Sequence, residues 1–435
     1  MLYYSTNNRQ QKVSLKEAII KGIADDKGLF MPEKINKLPQ SFYDQIENLS
    51  LHEIAFEVAN QFFGEDVDRE ALKEIVHDSL NFPIPLVQIK PDIYSLELFH
   101  GPTLAFKDVG GRFMARILNY FTKNQKEEII VLAATSGDTG SAVANGFLGV
   151  KGIKVGILYP KGKVSKIQEM QFTTLGQNIT AFEVDGTFDD CQAMVKNAFA
   201  DDSLRKKLNL TSANSINIGR LLPQAFYYFH GYAQLPHKQK ETIVCVPSGN
   251  YGNITAAIIA KKMGLPLQHF IAATNVNDVV PEFLKTSVYT PRPSVQTIAN
   301  AMDVGNPSNF TRILDLYDHS YEAIKADISG YSCSDATIRK TIAEVYKASD
   351  YLLDPHGAIG YNALTEALAS SNKQGFFIGT AHPAKFNEVV EDIIQEPVVI
   401  PERLEHFMHG TKQSIETSTD YVEFRERLIQ LGRKN

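Results

Sequence analysis

The chain has 435 residues, 43% of them hydrophobic and 22% charged, and a formal charge of −6 from 44 Lys and Arg against 50 Asp and Glu. That length suits two or three domains with sizeable apolar cores, and a charge so small and so mixed argues against a nucleic-acid binder. No apolar run is long enough to span a bilayer and the first residues hold no apolar signal core, so neither a membrane nor a secretory role is expected and the cytoplasm is the expected location.

Residues 1–85 read as a helical N-terminal region. Ser14 with Glu17 and Ser50 with Glu53 have capping-box spacing, each followed by apolar residues at helical intervals: Leu15, Ala18 and Ile19, then Ile54, Val58 and Phe62. A third amphipathic stretch carries Leu72, Ile75, Val76 and Leu80. Phe82-Pro83-Ile84-Pro85 then forbids a helix and marks a boundary.

Beyond it, short apolar runs alternate with helices. The runs are 129–134, 155–159, 242–246, 270–273 and 376–378, and most stop at turns containing Gly, Ser or Asn. Apolarity without alternation predicts strands covered on both faces, hence parallel sheets in an α/β fold. Phe113, Met114, Ile117, Leu118 and Phe121 form one helical stripe, and Met194, Val195, Ala198 and Phe199 another. The expected organisation is an α/β domain over 86–235 and a second over 236–435. Cys191, Cys245 and Cys333 have no ligand spacing and no disulfide framework, and read as small core thiols in a reducing compartment.

In sheets of this kind ligands bind past the carboxyl ends of the strands, where three of the chain's motifs fall. Ser136-Gly137-Asp138-Thr139-Gly140-Ser141 follows the run at 129–134 and leads into the small-residue helix 142–147. Its glycines allow close backbone approach, and its hydroxyls and N–H groups suit a carboxylate, although an ordinary capped turn has the same composition. Ser248-Gly249-Asn250-Tyr251-Gly252-Asn253 repeats the layout before the helix 254–263, where the dipole and free N–H groups favour an anion. Thr380-Ala381-His382-Pro383-Ala384-Lys385-Phe386 ends the last run. A hydroxyl at Thr380 can bond a pyridine nitrogen without protonating it, whereas His382 reads as a packed or capping histidine.

Lys107 closes the run Leu98-Phe99-His100-Gly101-Pro102-Thr103-Leu104-Ala105-Phe106-Lys107 and, with Asp108, falls near a helix start. The positive end of a helix dipole favours its neutral, nucleophilic amine. One such amine and two anion loops suit a carbonyl cofactor that carries a phosphate, pyridoxal 5'-phosphate, held as a Schiff base on Lys107. The chain contains no Gly-x-Gly and no P-loop, so a dinucleotide or P-loop nucleotide is disfavoured, and no metal site is expected. Arg220, in Asn214-Ser215-Ile216-Asn217-Ile218-Gly219-Arg220, suits a substrate phosphate or carboxylate, with a structural ion pair as the alternative. Lys161 and Lys163 offer further positive charge or are simply solvated. Asp354-Pro355-His356-Gly357 reads as a turn without a role.

On these residues the chain resembles the threonine synthases, a family with the fold of the tryptophan synthase β subunit. The likeness spans nearly the whole chain. It rests on Tyr4-Ser5-Thr6, on Ala18-Ile19-Ile20-Lys21-Gly22-Ile23-Ala24-Asp25-Asp26-Lys27-Gly28-Leu29-Phe30-Met31-Pro32, on the loops above, and on Asn300-Ala301-Met302-Asp303-Val304-Gly305-Asn306-Pro307-Ser308. The resemblance implies a type II pyridoxal-phosphate fold, two parallel-sheet domains with the cofactor in the cleft between them. It also implies that Lys107 carries the cofactor, that Gly249, Asn250, Tyr251, Gly252 and Asn253 hold its phosphate, and that Thr380 faces the ring nitrogen.

For the substrate, it implies that Ser136, Gly137 and Thr139 bind the carboxylate and that Asn214 and Arg220 bind the phosphate. Asp138 is counted with the substrate residues but departs from the pattern. Shorter members have Asn there, and a carboxylate would repel the cofactor's phenolic oxygen unless turned away. The implied reaction is that of a lyase turning O-phospho-L-homoserine and water into L-threonine and phosphate, in a monomer or homodimer with no nucleic-acid or membrane partner. A serine or threonine dehydratase or ammonia-lyase on the same fold is the nearest alternative. A non-catalytic phosphate-ligand binder is a second, and a nicotinamide oxidoreductase is disfavoured by the missing Gly-x-Gly.

Overall fold

The computed structural model describes residues 1–125 and 127–433. The chain divides into two compact units, each assembled from separate segments. The first takes Met1, Met31–Phe106 and Leu221–Val399; the second takes Leu2–Phe30, Lys107–Arg220 and the chain from Ile400 onward.

The first unit is built on a six-stranded sheet. Its strands lie in the order Ile328–Ser332, His269–Thr274, Thr242–Pro247, Gln374–Gly379, Ile93–Glu97 and Leu86–Lys90. All neighbours are parallel except the last pair, where the half-exposed edge strand Leu86–Lys90 runs antiparallel to Ile93–Glu97. Every residue of Thr242–Pro247 and Gln374–Gly379 is buried, which is why 243–246 and 376–378 are apolar without alternation. On one face Ile359 and Leu364 of the helix Pro355–Leu368 pack on Ile243, Cys245 and Phe377. On the other the helix Ala225–Gln234 brings Gly231 against Leu96 and Phe376.

The second unit holds a fully parallel five-stranded sheet. Its order is Ile415–Thr417, Ile179–Val184, Ile153–Pro160, Ile129–Ala134 and Asn209–Ser212. One face is covered by the helices Phe188–Ala200 and Tyr421–Arg433, whose Cys191, Met194, Phe424 and Leu428 meet Leu132, Leu158 and Phe182. The helices Lys107–Thr122 and Asp138–Phe147 also pack together, nearly backbone to backbone. A β-carbon on Gly146 would stand 2.9 Å from the carbonyl oxygen of Gly111, and one on Gly111 equally close to that of Ala142. The small residues of 138–147 are therefore a packing requirement.

The five expected strands and the helices after them form where the patterning placed them. The N-terminal region does not read so simply. It opens on an antiparallel hairpin, Leu2–Ser5 with Asn8–Ser14, and only then enters the helix Leu15–Lys21. The hairpin buries Tyr3, Ser5 and Val13 and exposes mostly polar side chains, too few apolar positions to announce a strand. Both caps form: Ser14 accepts from the Glu17 N–H, and Ser50 and Glu53 complete a reciprocal box ahead of Leu51–Phe63. Among the described residues no helix is long and apolar enough to cross a membrane.

The Gly111–Gly146 contact leads to a first expectation. Gly146→Val should force the two helices apart and lower stability by about 1–3 kcal/mol, read as a lower urea midpoint by circular dichroism.

Candidate active site

In the second unit Lys107 is the first residue of the sixteen-residue helix Lys107–Thr122, half-buried and followed by the buried Asp108. Gly110, within the first turn, lies against the backbone of Arg220: a β-carbon there would stand 2.6 Å from the Arg220 carbonyl oxygen. Arg220 is itself buried, and its guanidinium donates through Nη1 to the Ala213 carbonyl at 2.5 Å. The start of the Lys107 helix and the Arg220 turn thus form one packed corner.

The loop at 136–139 leaves the strand Ile129–Ala134 through Thr135, which sequence reasoning passed over. Its fully buried hydroxyl accepts from the N–H groups of Gly137 (2.9 Å) and Gly140 (2.8 Å) and donates to the Gly137 carbonyl (3.0 Å). Ser136 and Thr139 are the partly exposed residues of the loop, whereas Gly137 and Asp138 are buried. Gly137 has φ +141°, and a β-carbon on it would collide with the Gln168 side chain at 2.5 Å. Glycine is required there on both counts.

Gln168 explains Asp138. Its Nε2 donates to Asp138 Oδ1 at 2.9 Å in a buried contact, so at least one carboxylate oxygen is engaged inside the unit. Asn214, expected at a substrate phosphate, has its amide on the backbone of Ala134. Oδ1 accepts from the Ala134 N–H (3.1 Å) and Nδ2 donates to its carbonyl (2.8 Å), prolonging the ladder at the strand end that feeds the loop. Lys161 pairs with Glu416 at 2.9 Å on the surface, and Lys163 is exposed.

In the first unit the loop at 248–253 follows Thr242–Pro247 directly. Ser248 is locked by its N–H to the Ala273 carbonyl and its hydroxyl to the Val246 carbonyl, both at 2.8 Å. Tyr251 takes the left-handed conformation (φ +60°) and seats its ring edge-on to Phe310. Its phenol has no hydrogen-bond partner among the described residues, and burial raises its pKa well above the ordinary value.

The helix Gly252–Lys262 begins with no side-chain cap. Asn253 Oδ1 receives the hydroxyls of Tyr227 and Tyr228, each at 2.5 Å, while its buried Nδ2 has no hydrogen-bond partner among the described residues. Gly249 has no room for a side chain, since a β-carbon would lie 2.4 Å from the Ala301 carbonyl oxygen. Uncapped N–H groups, an orphaned amide donor and a backbone that can approach closely make an anion cradle, and these residues fit a cofactor phosphate.

Thr380 follows the strand Gln374–Gly379 and is buried. Its carbonyl accepts from the Phe106 N–H at 2.8 Å, Ala381 pairs antiparallel with Ala105, and the His382 N–H reaches the Leu104 carbonyl at 3.1 Å. The segment entering Lys107 is thus laid against 380–382, with Leu104 held at φ +56° and the buried Lys385 amine donating to the Thr103 carbonyl at 2.8 Å. His382 is a cap, as expected. Its Nδ1 accepts from the Ala384 N–H, and burial, with His100 nearby, lowers its pKa to about 4.

Residues 300–308 line the far side of Gly249 and are tied down by Asp303. Its carboxylate accepts from the Thr297 hydroxyl, the Thr297 N–H and the amides of Asn275 and Asn277, and burial pushes its pKa up to about 6. Asp354 and His356, read as a turn, are instead the start of the helix Pro355–Leu368 and are buried. All three cysteines are buried free thiols, and burial raises the pKa of Cys191 and of Cys333 to about 12.

Parallel sheets with an anion cradle past one strand and a lysine at a helix start define a pyridoxal-phosphate-dependent enzyme of fold type II. The family model for pyridoxal-phosphate-dependent enzymes matches residues 81–377. Models for the threonine synthase N terminus and C-terminal region match 2–80 and 357–427. The chain is 43% identical to the threonine synthase of Escherichia coli over 405 residues, 93% of this chain and 94% of that protein. The crystal structure of an Escherichia coli threonine synthase superimposes with a TM-score of 0.94 at 41% identity, covering 99% of this chain and 100% of the other. A pyridoxal-phosphate-bound threonine synthase from Brucella melitensis gives 0.93 at 31% identity, with full coverage of both chains. The chain belongs to the threonine synthase family.

The depressed pKa of His382 makes a pH prediction. The unfolded histidine takes up a proton near pH 6.5 and the folded one only near pH 4, so the contribution is complete above that range and is lost as pH falls through it. His382→Asn, which keeps an acceptor for the Ala384 N–H, should flatten the fall in unfolding free energy between those values, measured by urea titration, by about 2–3 kcal/mol.

Proposed function

We propose that this protein converts O-phospho-L-homoserine and water into L-threonine and inorganic phosphate, working in the cytoplasm as a monomer or homodimer. The observation that carries the reading is the cradle at 249–253, whose uncapped helix start, orphaned Asn253 amide and close-set Gly249 suit a phosphate-bearing cofactor. When bound, pyridoxal phosphate supplies an electron sink for negative charge developed next to the substrate's α-carbon.

The chain's own residues do the rest. The Lys107 amine carries the cofactor, then serves as the base that takes the α-proton and later returns it. Backbone N–H groups of Gly249, Asn250, Tyr251, Gly252 and Asn253 hold the cofactor phosphate, and the Thr380 hydroxyl faces the ring nitrogen without charging it. Ser136, Gly137 and Thr139 take the substrate carboxylate, with Thr135 fixing the loop. Arg220 takes the substrate phosphate, which departs as inorganic phosphate when a β-proton is lost and the Cγ–O bond breaks; Cγ then takes up a proton to become the methyl group, and water adds its hydroxyl at Cβ. Asp138 and Asn214 enter as supports, the first through Gln168 and the second through Ala134. Three buried free thiols suit a reducing compartment.

Borohydride reduction followed by peptide mapping should find the pyridoxyl group on Lys107; its recovery on another lysine would overturn the assignment. Lys107→Ala should keep the circular dichroism spectrum and abolish phosphate release. Arg220→Ala should cost about 2–4 kcal/mol in kcat/KM for O-phospho-L-homoserine while leaving slow deamination of serine little changed. Equal losses on both substrates would assign Arg220 to the fold or to the carboxylate instead. Good turnover of serine with none of O-phospho-L-homoserine would replace this reading with that of a dehydratase.

A further inference from the structure

His356 and Asp354 form a buried dyad that the reaction above does not use. Both side chains are almost wholly buried, with Asp354 Oδ2 2.6 Å from His356 Nδ1. Asp354 is also the cap of the helix Pro355–Leu368, its Oδ1 accepting from the Gly357 N–H at 2.8 Å. At the other end of the imidazole, Nε2 receives the N–H of Ala301 at 3.2 Å.

Only a bare ring nitrogen can accept from an N–H, so Nδ1 carries the proton and donates it to Asp354. The carboxylate thereby fixes both the tautomer and the orientation of the ring. What the ring holds is the N–H of Ala301, and the carbonyl on the other side of the same residue is the wall behind Gly249. A β-carbon on Gly249 would lie 2.4 Å from the Ala301 carbonyl oxygen and 3.1 Å from the Met302 α-carbon. Phe386, with its ring centroid 5.0 Å from that of His356, packs beside the imidazole.

The chain of contacts runs Asp354, His356, Ala301, Gly249, all within the first unit. We infer that the Asp354–His356 dyad is a positioning device for the cofactor-phosphate loop. By holding Ala301 through its N–H, it fixes the carbonyl that lies against Gly249 and so sets the spacing of the backbone N–H groups that receive the phosphate. The inference rests on the reading of 249–253 as the phosphate site.

Its consequence is an affinity that depends on the phosphate. Holoenzymes of the wild type, His356→Gln and His356→Leu would be dialysed against graded pyridoxal phosphate and, separately, graded pyridoxal, with retained cofactor read by absorbance and the phosphate by 31P NMR. Glutamine keeps an acceptor at about the reach of Nε2, whereas leucine fills the space without one. The leucine variant should hold pyridoxal phosphate about tenfold more weakly and shift the 31P resonance, while pyridoxal affinity changes less than about twofold. The glutamine variant should stay within about twofold of the wild type for both.

Should the leucine variant not fold, His356→Asn, too short to reach Ala301, replaces it with the same expectation. Unchanged affinity in the leucine or asparagine variant, or equal loss of pyridoxal and pyridoxal phosphate, would overturn the inference while leaving the proposed function standing. A wild-type protein that binds pyridoxal phosphate no better than pyridoxal would remove the phosphate site and the inference with it.

Discussion

The first unit depends on one strand being flanked on both sides. Gln374–Gly379 pairs in parallel with Thr242–Pro247 on one edge and with Ile93–Glu97 on the other, so three chain segments reach the same end of the sheet in fixed register. One enters the loop at 248–253, one becomes Thr380, and one continues through Leu98 towards Phe106. Backbone hydrogen bonds carry the register onward, from the Leu98 N–H to the Gly379 carbonyl and from the Phe106 N–H to the Thr380 carbonyl. A one-residue slip would reverse the facing of every side chain along the strand. With both faces buried, such a slip would exchange the two halves of the core, so the hydrophobic pattern and the site geometry are enforced by the same pairing.

The sequence was most readable where burial is complete and least readable where polar groups are buried with partners. Runs such as 129–134 and 242–246 announce themselves because every position is apolar or small. Ile93–Glu97 is equally buried, yet Ser95 and Glu97 interrupt it. Glu97 is tolerated because the His100 ring, three residues on, meets one of its oxygens and the hydroxyl of Tyr351, far away in sequence, donates to the other. Ile179–Val184 is broken in the same way by Glu183, which is paired with Lys412 more than two hundred residues away.

The loops at 136–141 and 248–253 were legible from glycine, small residues and the helices that follow. The residues that shape them were not. Thr135 looks like any strand-end threonine, Gln168 like a helix-surface residue, and His356 like part of a turn. Gln168 and His356 act through partners far away in sequence, of which a short window carries no sign, while Thr135 bonds within five residues but is of a type common at strand ends. Asparagine shows the point well. At Asn214 and Asn217 the side-chain amide stands in for a peptide group, bonding backbone that would otherwise lie unsatisfied in the interior. A run rich in asparagine reads equally well as ligand-binding or as scaffolding until the partners are seen.

The second unit draws its sheet and core from widely separated stretches of chain. Ile415–Thr417 adds a strand beside Ile179–Val184, and Phe424 and Leu428 of the last helix fill the core around Phe182 and Cys191. During synthesis, therefore, the strands at 129–184 emerge long before the last of the residues that cover them. A nascent chain carries an open sheet edge and a partly covered apolar face until residues 415–433 have been made. A chain stopped before residue 415 therefore exposes that edge and that part of the core, and aggregates rather than forming a smaller version of the enzyme.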